Sequence, residues 1–455
     1  MLPVKIAVAR AAGAVSRRSG RGATSLPGKL LMRMEPAAIE RLARRLPQGS
    51  AVISATNGKT TTAAMVAAIL ERTGARLVHN RAGANMAGGV ASVLLAAARG
   101  DGIDGDAGLF EVDEFWLDRV VPQLAPRALL LANLFRDQLD RYGELETIAD
   151  RWAATVTAAP GAKLVLNADD PLVADLGRDS ATGRVTYFGV QDDGVALRGM
   201  AHASDSKHCR RCGAPYAYEA IYLGHLGRYR CPNGDSQRPQ PDVYASDVVL
   251  EGTRGARFTL HAGAEHATVA LPLPGLYNVY NAVGAAALAA ALGAPFNAVV
   301  AGLEAAQAAF GRAETVGVGG RELAIMLVKN PAGANEVLRT LALDDGQHDV
   351  LAVLNDNIAD GRDISWVWDA DFEVIAERVR TVTCSGTRAA ELALRLKYAG
   401  VAPERLRVVP ALERGLDAAL ADGEGRLVAL PTYTAMLALR ELLVARGAAR
   451  GSFTR

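Results

Sequence analysis

The chain has 455 residues, a length that exceeds one ordinary hydrophobic core and predicts two or three domains. Half of the residues are hydrophobic, 22% are charged, and the formal net charge is +1, a composition typical of globular proteins. This balance gives no support to a nucleic-acid partner, which would favour a strongly basic chain. The longest apolar runs, such as residues 283–293, are shorter than the roughly 20 residues of a membrane-spanning helix. We therefore exclude a membrane-spanning protein and expect a cytoplasmic one.

The beginning of the chain combines a short apolar stretch with basic side chains, namely Lys5, Arg10, Arg17, Arg18 and Arg21. A solvated basic face is the favoured interpretation of this pattern. Two alternatives stay open: a targeting peptide, and a peripheral contact with anionic lipid at the inner face of the membrane.

The first predicted unit is a strand at residues 51–54, a polar loop that reads TNGKTTT, and a helix at 62–73 with apolar residues at helical spacing. Buried strands are then predicted at residues 107–112, 128–132 and 163–167. Strands that alternate with helices indicate a mostly parallel sheet, with functional sites at the carboxyl ends of its strands.

Residues 200–242 interrupt this alternation with a segment rich in His, Cys, Arg, Tyr and Gly that has little periodicity. A second alternation of strands and helices begins near residue 323. The predicted fold class is α/β: a central P-loop domain with a mostly parallel sheet over residues 1–314, which contains the small Cys-rich, zinc-ribbon-like insertion, and a C-terminal Rossmann-like α/β domain over residues 315–455.

The TNGKTTT segment follows a strand and opens a helix, which is the context of a phosphate-binding loop. Candidate nucleotide-binding residues are Thr56, Asn57, Gly58, Lys59, Thr60 and Thr61. Lys59 offers a cation to the phosphates and Thr60 a hydroxyl to Mg²⁺. A full Walker pattern would require glycine in place of Ile53, and a simple helix cap is the competing interpretation. Glu111 ends the next predicted strand, where a carboxylate can hold Mg²⁺.

Three cysteines of the insertion have zinc-ribbon spacing: Cys209 and Cys212 form a CxxC pair, and Cys231 follows nineteen residues later. Gly213 and Gly234 suit the tight turns of such knuckles. A fourth cysteine is missing, because Gly234 occupies its expected position. The candidates to replace it are Asp235, His208 and His225, and an eroded site is the alternative. Bound zinc would be structural rather than catalytic.

Two further groups of polar residues are candidates for ligand or partner binding. Asn278 and Asn281 lie three residues apart on one helical face, and Arg312 follows them; an Asn pair can bind an adenine edge and an Arg a phosphate, although caps or surface charge would look the same. Residues 354–373 combine several aspartates with two tryptophans. A merely solvated acidic loop rarely carries tryptophan, so a ligand or partner site is favoured.

Taken together, these segments resemble the Mur ligase superfamily and, more closely, its MurT family, the ligase-like subunits of lipid II isoglutaminyl synthase. The resemblance covers nearly the whole chain and rests on the order of many motifs, among them TNGKTTT, NRAGANM, EVDE, NLFRDQLDRYGE, LNADDP, LPGLYNVYNAVGAAA, KNPAGANEVL, LNDNIADGRDISWVWDADFE and PTYTAML. It implies ATP and Mg²⁺ as cofactors, with Lys59, Thr60 and Glu111 at the phosphates and magnesium.

The resemblance also implies that Asn278 and Arg312 contact the nucleotide. The peptide-extending relatives have a histidine where Gln138 stands, and they use a carbamylated lysine that has no convincing counterpart between residues 145 and 160. Both departures favour a MurT-like amidation over the addition of an amino acid.

Such a subunit would form a heterodimer with a GatD-like glutamine amidotransferase that supplies ammonia. The resemblance implies that an aspartate of residues 354–363 serves the active site of that partner, with Asp356 as the first choice and Asp360 and Asp363 behind it. The implied reaction amidates the D-Glu α-carboxylate of the lipid II stem peptide through an acyl phosphate. The alternatives are a Mur or folylpolyglutamate-type amino-acid ligase and a non-catalytic ATP-binding regulatory subunit.

Overall fold

The computed structural model describes residues 2–18, 25–81, 84–137, 145–200, 204–307, 312–421, 423 and 425–449. It contains two large β-sheets that follow each other along the chain, with helices on both faces of each. Within the described part of the chain, no helix is both long enough and apolar enough to cross a bilayer.

The first sheet has nine strands in the order β13-β12-β11-β8-β7-β6-β1-β5-β2. These strands are β1 Ser50–Ser54, β2 Leu77–His79, β5 Ala107–Glu111, β6 Ala128–Leu131, β7 Lys163–Asn167, β8 Val185–Val190, β11 Val243–Leu250, β12 Ala256–Ala262 and β13 Glu265–Leu271; β3 Ala98–Arg99 and β4 Gly102–Ile103 form a separate short ribbon. All pairings from β2 to β11 are parallel, while β12 and β13 add an antiparallel edge. The predicted strands and the mostly parallel sheet are confirmed.

The helices of this first part are α1 Leu2–Arg18, α2 Leu26–Met34, α3 Ala38–Ala43, α4 Lys59–Arg72, α5 Ala87–Ala97, α6 Leu117–Leu124, α7 Leu145–Ala158, α8 Pro171–Ala174, α9 Leu276–Ala291 and α10 Phe296–Glu304. Alternation along the strands divides them between two cores. In β1, for example, Ile53 faces the core under α4, α9 and α10, whereas Val52 faces the core under α1 to α3 and α5 to α8.

The Cys-rich insertion folds as a small hairpin of β9 Ala217–Leu223 and β10 Leu226–Arg230, separate from the large sheet. An isolated bridge between His208 and Pro215 closes the segment before the hairpin, and one between Arg230 and Gln237 folds the following segment back onto β10. The predicted insertion into the sheet-forming chain is therefore confirmed.

The second sheet has six strands in the order β14-β15-β19-β16-β17-β18. Its strands are β14 Arg312–Val318, β15 Arg321–Met326, β16 His348–Val353, β17 Val379–Ser385, β18 Leu406–Val408 and β19 Leu427–Pro431, and its helices are α11 Pro331–Ala342, α12 Ala389–Tyr398, α13 Leu412–Ala421 and α14 Tyr433–Ala445. Only β14 is antiparallel to its neighbour. The predicted domain boundary after residue 314 falls inside β14.

Candidate functional site

The loop between β1 and α4 is shaped by a glycine that no other residue could replace without strain. Gly58 has φ +88°, a left-handed conformation that residues with a Cβ rarely adopt. A Cβ at this position would lie 2.1 Å from Oδ1 of Asn281. The turn lets α4 begin at Lys59, and the free N–H groups and dipole of a helix start favour an anion. The predicted strand, loop and helix are confirmed.

Lys59 is buried and forms an ion pair with Glu114. Its ammonium group donates to Oε2 of Glu114 at 2.7 Å, to the carbonyl of Thr56 at 3.3 Å and to the carbonyl of Ala55. Burial alone would lower the pKa of Lys59, but the carboxylates of Glu114 and Asp113 raise it, so the group stays charged. Because an ammonium has three N–H donors, a phosphate would have to replace one of these acceptors.

Glu111 is fixed by side chains on three sides. Thr60 donates its hydroxyl to Oε1 of Glu111 at 3.0 Å, and the amide of Asn85 approaches the same oxygen at 3.4 Å. The amide group of Asn80 holds the backbone of Glu111 through two bonds of 2.8 and 2.9 Å. The hydroxyl and the carboxylate predicted to hold Mg²⁺ are thus in direct contact.

The second part of the chain reaches into this loop through Lys329 and Asn330. The ammonium group of Lys329 lies 2.5 Å from Oδ2 of Asp137 and 3.3 Å from the carbonyl of Thr56. The amides of Asn330 and Asn57 exchange two hydrogen bonds of 3.1 and 3.2 Å. Both residues precede α11, so the P-loop lies at the junction of the two sheets.

The charges around the loop do not balance. Four carboxylates and two ammonium groups interact here: Glu111, Asp113, Glu114, Asp137, Lys59 and Lys329. Burial raises the pKa of Asp113 and of Asp137, and neighbouring lysines oppose that shift. An excess of oxygen ligands over cations suits a hard divalent ion such as Mg²⁺.

Asn278 and Asn281 lie behind the P-loop on α9. The amide of Asn281 donates to Asn278 at 3.1 Å, and its oxygen accepts the hydroxyl of Thr62 at 3.2 Å. The amide of Asn278 donates to the carbonyl of Pro274 at 2.8 Å. Both side chains are buried, so the geometry ties this pair to the shape of the loop; their predicted contact with the nucleotide stays a prediction.

The remaining predicted residues of this site are Thr56, Thr61 and Arg312. Thr56 exchanges hydrogen bonds with the backbone of Phe135 at 3.1 and 3.3 Å, and Thr61 is buried in the first turn of α4. Arg312 begins β14, but its side chain lies outside the described residues, and so does Gln138. Their predicted roles stay predictions.

The three candidate aspartates of residues 354–363 differ in their surroundings. Asp360 is buried and accepts the backbone N–H and the hydroxyl of Thr434 at 2.7 and 2.5 Å. Asp363 is exposed and accepts the N–H of Ser365 at 2.8 Å, which closes its own turn. Asp360 is therefore fixed but buried, whereas Asp363 is exposed but bonded within its own turn.

Asp356 combines access with a fixed orientation. Its side chain is 26% exposed, and its two oxygens accept the hydroxyl of Thr387 and Nε of Arg388, each at 2.8 Å. The hydrogen bond from Thr387 and the nearby Arg388 lower the pKa of Asp356. Its position follows β16, and its partners follow β17, so the parallel pairing of these strands brings them together. The geometry therefore favours the first choice among the three.

Comparison with known proteins agrees with this geometry. The Mur ligase middle domain matches residues 53–234, and the MurT ligase C-terminal family matches residues 327–436. The chain is 33% identical to the lipid II isoglutaminyl synthase (glutamine-hydrolyzing) subunit MurT of Streptococcus pneumoniae, over 95% of this chain and 94% of that protein. The chain belongs to the MurT family.

Solved structures show the same fold for this MurT family member. A pseudomurein peptide ligase type C from Methanothermus fervidus is similar with a TM-score of 0.67 and 23% identity, over 89% of this chain and 80% of that one. The MurF ligase from Thermotoga maritima in complex with ADP is similar with a TM-score of 0.63 and 14% identity, over 91% and 84%. The α/β fold predicted from the resemblance to Mur ligases is confirmed.

The MurT family member also brings its three clustered cysteines together. Ligand atoms of Cys209, Cys212 and Cys231 all lie within 4.8 Å of one another, and the last two sulfurs are 3.4 Å apart. Gly213 and Gly234 adopt φ of +73° and +79° and close the two knuckle turns as predicted. Three thiols at such distances fit the tetrahedral sulfur site that zinc prefers.

Asp235 interacts with this cluster, whereas His225 does not. A hydrogen bond from the backbone of Ala214 lowers the pKa of Cys212, but the adjacent Asp235 carboxylate and Cys231 thiol raise it to about 11. Asp235 therefore lies beside the cluster. Nε2 of His225 instead lies 3.4 Å from Asp170, away from the sulfurs. In the described ranges, no His, Asp or Glu lies within 4.8 Å of all three sulfurs.

Sequence reasoning missed the contribution of the C-terminal domain to the P-loop of this MurT family member. The KNPAGANEVL motif supports the family resemblance, but its residue types alone assign no role to Lys329 and Asn330. The EVDE motif contains Glu114, but the motif does not predict that Glu114 forms an ion pair with Lys59. A signal was available, because Lys329 and Asn330 follow a strand and precede a helix, the place where parallel sheets present functional groups.

Proposed function

We propose that this chain is the ATP-using subunit of a lipid II isoglutaminyl synthase. It amidates the D-Glu α-carboxylate of the lipid II stem peptide to D-isoglutamine, with ammonia from a glutamine amidotransferase partner. The observation that carries this proposal is the 33% identity to a MurT subunit over 95% of the chain. The P-loop, in which Lys59 is paired with Glu114 and Thr60 donates to Glu111, supports turnover of ATP.

The reaction needs an activated carboxylate, because neither oxygen of a carboxylate leaves readily in water. A carboxylate oxygen attacks the γ-phosphorus of ATP, ADP leaves, and an acyl phosphate forms. The nitrogen of ammonia then attacks the acyl carbon, phosphate departs with the electron pair of the broken C–O bond, and the nitrogen loses a proton. Phosphoryl transfer of this kind depends mainly on positioning and on neutralising charge.

The residues of this chain have distinct parts in that scheme. Lys59 and the start of α4 bind the β- and γ-phosphates, and Thr60 and Glu111 would hold Mg²⁺, which neutralises charge on the phosphates when it is bound. Lys329, from the second sheet, adds a cation beside Asp137 at the same loop. Arg312, Asn278 and Asn281 complete the nucleotide-binding set. A site shared by two sheets can close around a substrate and exclude water from the acyl phosphate.

The partner would dock on the C-terminal sheet, where Asp356 is partly exposed and oriented. A carboxylate held by Thr387 and Arg388 can accept the ring N–H of a histidine in the amidotransferase and orient it, as the aspartate of a catalytic triad does. Trp368 and Tyr398, whose rings lie 5.8 Å apart, are exposed elsewhere on the same domain.

For the cysteine cluster we propose a structural zinc ion. Cys209, Cys212 and Cys231 would bind it, and Asp235, beside Cys212, is the candidate for the fourth position. Removing the metal should loosen the hairpin without changing the ATP-binding residues themselves.

The test is mass spectrometry of lipid II after incubation with the chain, ATP, Mg²⁺ and ammonium, and separately with the amidotransferase partner and glutamine. Amidation replaces one oxygen of the stem peptide by NH in both incubations. The Lys59→Met variant should abolish this change in mass. Lys163→Ala should not, because Lys163 lies at the amino end of β7 and the P-loop lies at the carboxyl edge of the sheet. A product heavier by a whole amino acid would instead identify an amino-acid ligase, and an unchanged mass with folded, ATP-binding protein would identify a regulatory subunit.

A further inference from the structure

Positive charge is concentrated in the first helices. Residues 1–50 contain ten Lys or Arg and two Glu, a net charge of +8, whereas the whole chain carries +1. The remainder of the chain is therefore acidic, with a net charge of −7. Such an asymmetry between parts of one chain indicates a polyanionic partner for the basic part.

Helix α1 presents an apolar face to solvent on this basic segment. Val4 is 62% exposed and Val8 is 48% exposed. Pro3, Ala7 and Ala11 are exposed as well, and positions 3, 4, 7, 8 and 11 share one side of a helix. An exposed helix face without a charged residue is unusual for a surface that meets only water.

The opposite face of α1 is fixed to the body of the protein. Leu2, Ile6 and Ala9 are buried in the core. Lys5 pairs with Glu35 at 3.0 Å, and the guanidinium of Arg10 donates to the carbonyl of Leu95 at 2.7 and 3.1 Å. These contacts hold the apolar face outward, so the helix cannot bury it by rolling.

The neighbouring helix α2 packs against α1 and has a similar mixture on its exposed side. Leu26 is 47% exposed, and Lys29 and Arg33 are exposed too. Aliphatic side chains with lysine and arginine beside them form the pattern of helices that lie in a membrane interface. The aliphatic groups enter the headgroup region, and the basic groups pair with anionic lipid.

We propose that α1, together with the exposed Lys29 and Arg33 of α2, docks the protein on the surface of an anionic phospholipid bilayer, with the Val4 and Val8 face in the interface. Charge complementarity selects this occupant, because the same face of a second copy would bring another segment of net charge +8 toward the first. The inference goes beyond the proposed function, since vesicles that contain no peptidoglycan precursor should bind as well.

The experiment is flotation of the full-length chain with phosphatidylglycerol and phosphatidylcholine vesicles that lack lipid II, compared with vesicles of phosphatidylcholine alone. We expect binding to the anionic vesicles only, weakened by high salt. The double change Val4→Asp and Val8→Asp should lower the apparent affinity about tenfold or more. Val4→Leu with Val8→Leu should retain it, and Val249→Asp, at a comparably exposed valine elsewhere, should leave it unchanged.

Equal binding of the aspartate variant and the parent chain would overturn the proposal, and so would absence of vesicle binding or equal binding to both kinds of vesicle. Concentration-dependent self-association that the aspartate variant abolishes, without vesicle binding, would assign the face to a second copy. Amidation of lipid II separates this proposal from the proposed function: the aspartate variant should amidate detergent-solubilised lipid II normally and bilayer-embedded lipid II poorly. If the parent chain amidates neither, the proposed function fails while the result with vesicles still decides this proposal.

Discussion

Both sheets place acidic side chains at the carboxyl ends of parallel strands, but they hold them differently. In the central sheet, Glu114 is buried against the ammonium of Lys59, and Glu111 is held by Thr60. In the C-terminal sheet, Asp356 stands partly in solvent with a guanidinium and a hydroxyl behind it. The first arrangement suits the binding of phosphate and a metal ion by this chain, and the second suits a contact with another protein.

The difference follows from what covers each edge. At the carboxyl edge of the central sheet, Lys329 and Asn330 from the C-terminal domain contact the P-loop. Asn281 of α9 packs against Gly58 of the same loop. At the C-terminal edge, Asp356 stays 26% exposed among the residues that the structure describes. Changes at the two edges should therefore separate two activities, ATP-dependent activation and the use of glutamine.

The largest effect is expected for Lys59→Met. Loss of the cation should lower amidation with either nitrogen source about 10³-fold, because the phosphoryl group loses its main protein charge partner. The change also leaves Glu114 buried without its hydrogen-bonded counter-charge, which should destabilise the fold by about 3 kcal/mol in urea unfolding. Adding Glu114→Gln should recover stability but not activity. Recovery of activity in the double variant would contradict the assigned role.

Asp356→Asn should lower the use of glutamine without lowering ATP-dependent activation. In the complex with the amidotransferase, glutamine-driven amidation should fall about 100-fold, because the partner's histidine loses its orienting carboxylate. Ammonium-driven amidation should stay near that of the parent protein. Steady-state rates with the two nitrogen sources measure this, with Asp363→Asn as the matched control. An equal loss with both sources would place Asp356 in the chemistry of this chain instead.

Asp360→Ala should act on stability rather than on either activity. It removes a buried carboxylate and leaves the N–H and hydroxyl of Thr434 without acceptors, at a cost of about 2 kcal/mol. Urea unfolding of the variant beside Asp363→Ala, whose carboxylate is exposed, tests this. A stable Asp360 variant with selective loss of glutamine use would transfer the partner role from Asp356 to Asp360.

The smallest effect is expected for Gly58→Ala. Gly58 and Gly74 have similar positive φ values of +88° and +84°, but only at Gly58 would a Cβ meet another side chain, Asn281. Gly74→Ala therefore measures the backbone strain alone, about 1 kcal/mol. Gly58→Ala should in addition raise the KM for ATP about tenfold, because the loop must shift. Equal ATP kinetics for the two variants would show that the close packing on Asn281 is not needed for ATP binding.

Much of the architecture was predictable from local patterns. The short apolar runs that end in polar residues marked β1, β5, β6 and β7, because a strand buried on both faces of a parallel sheet needs continuous apolar residues. The glycines of the two knuckles were predictable because a tight turn needs positive φ. The order of motifs then led to the family that the comparisons confirm.

The sequence by itself determined the fold class, the P-loop, the cysteine cluster and the set of candidate aspartates, because these depend on residue types at short spacing. The tertiary structure decided which of them meet. Only the fold joins Lys329 to Asp137 across 192 positions of the chain, and only the pairing of β16 with β17 puts Arg388 behind Asp356. Local sequence patterns do not predict such contacts, since they arise from the packing of strands that are distant along the chain. For the same reason, the outward-held face of α1 became visible only once its opposite face was seen to be buried.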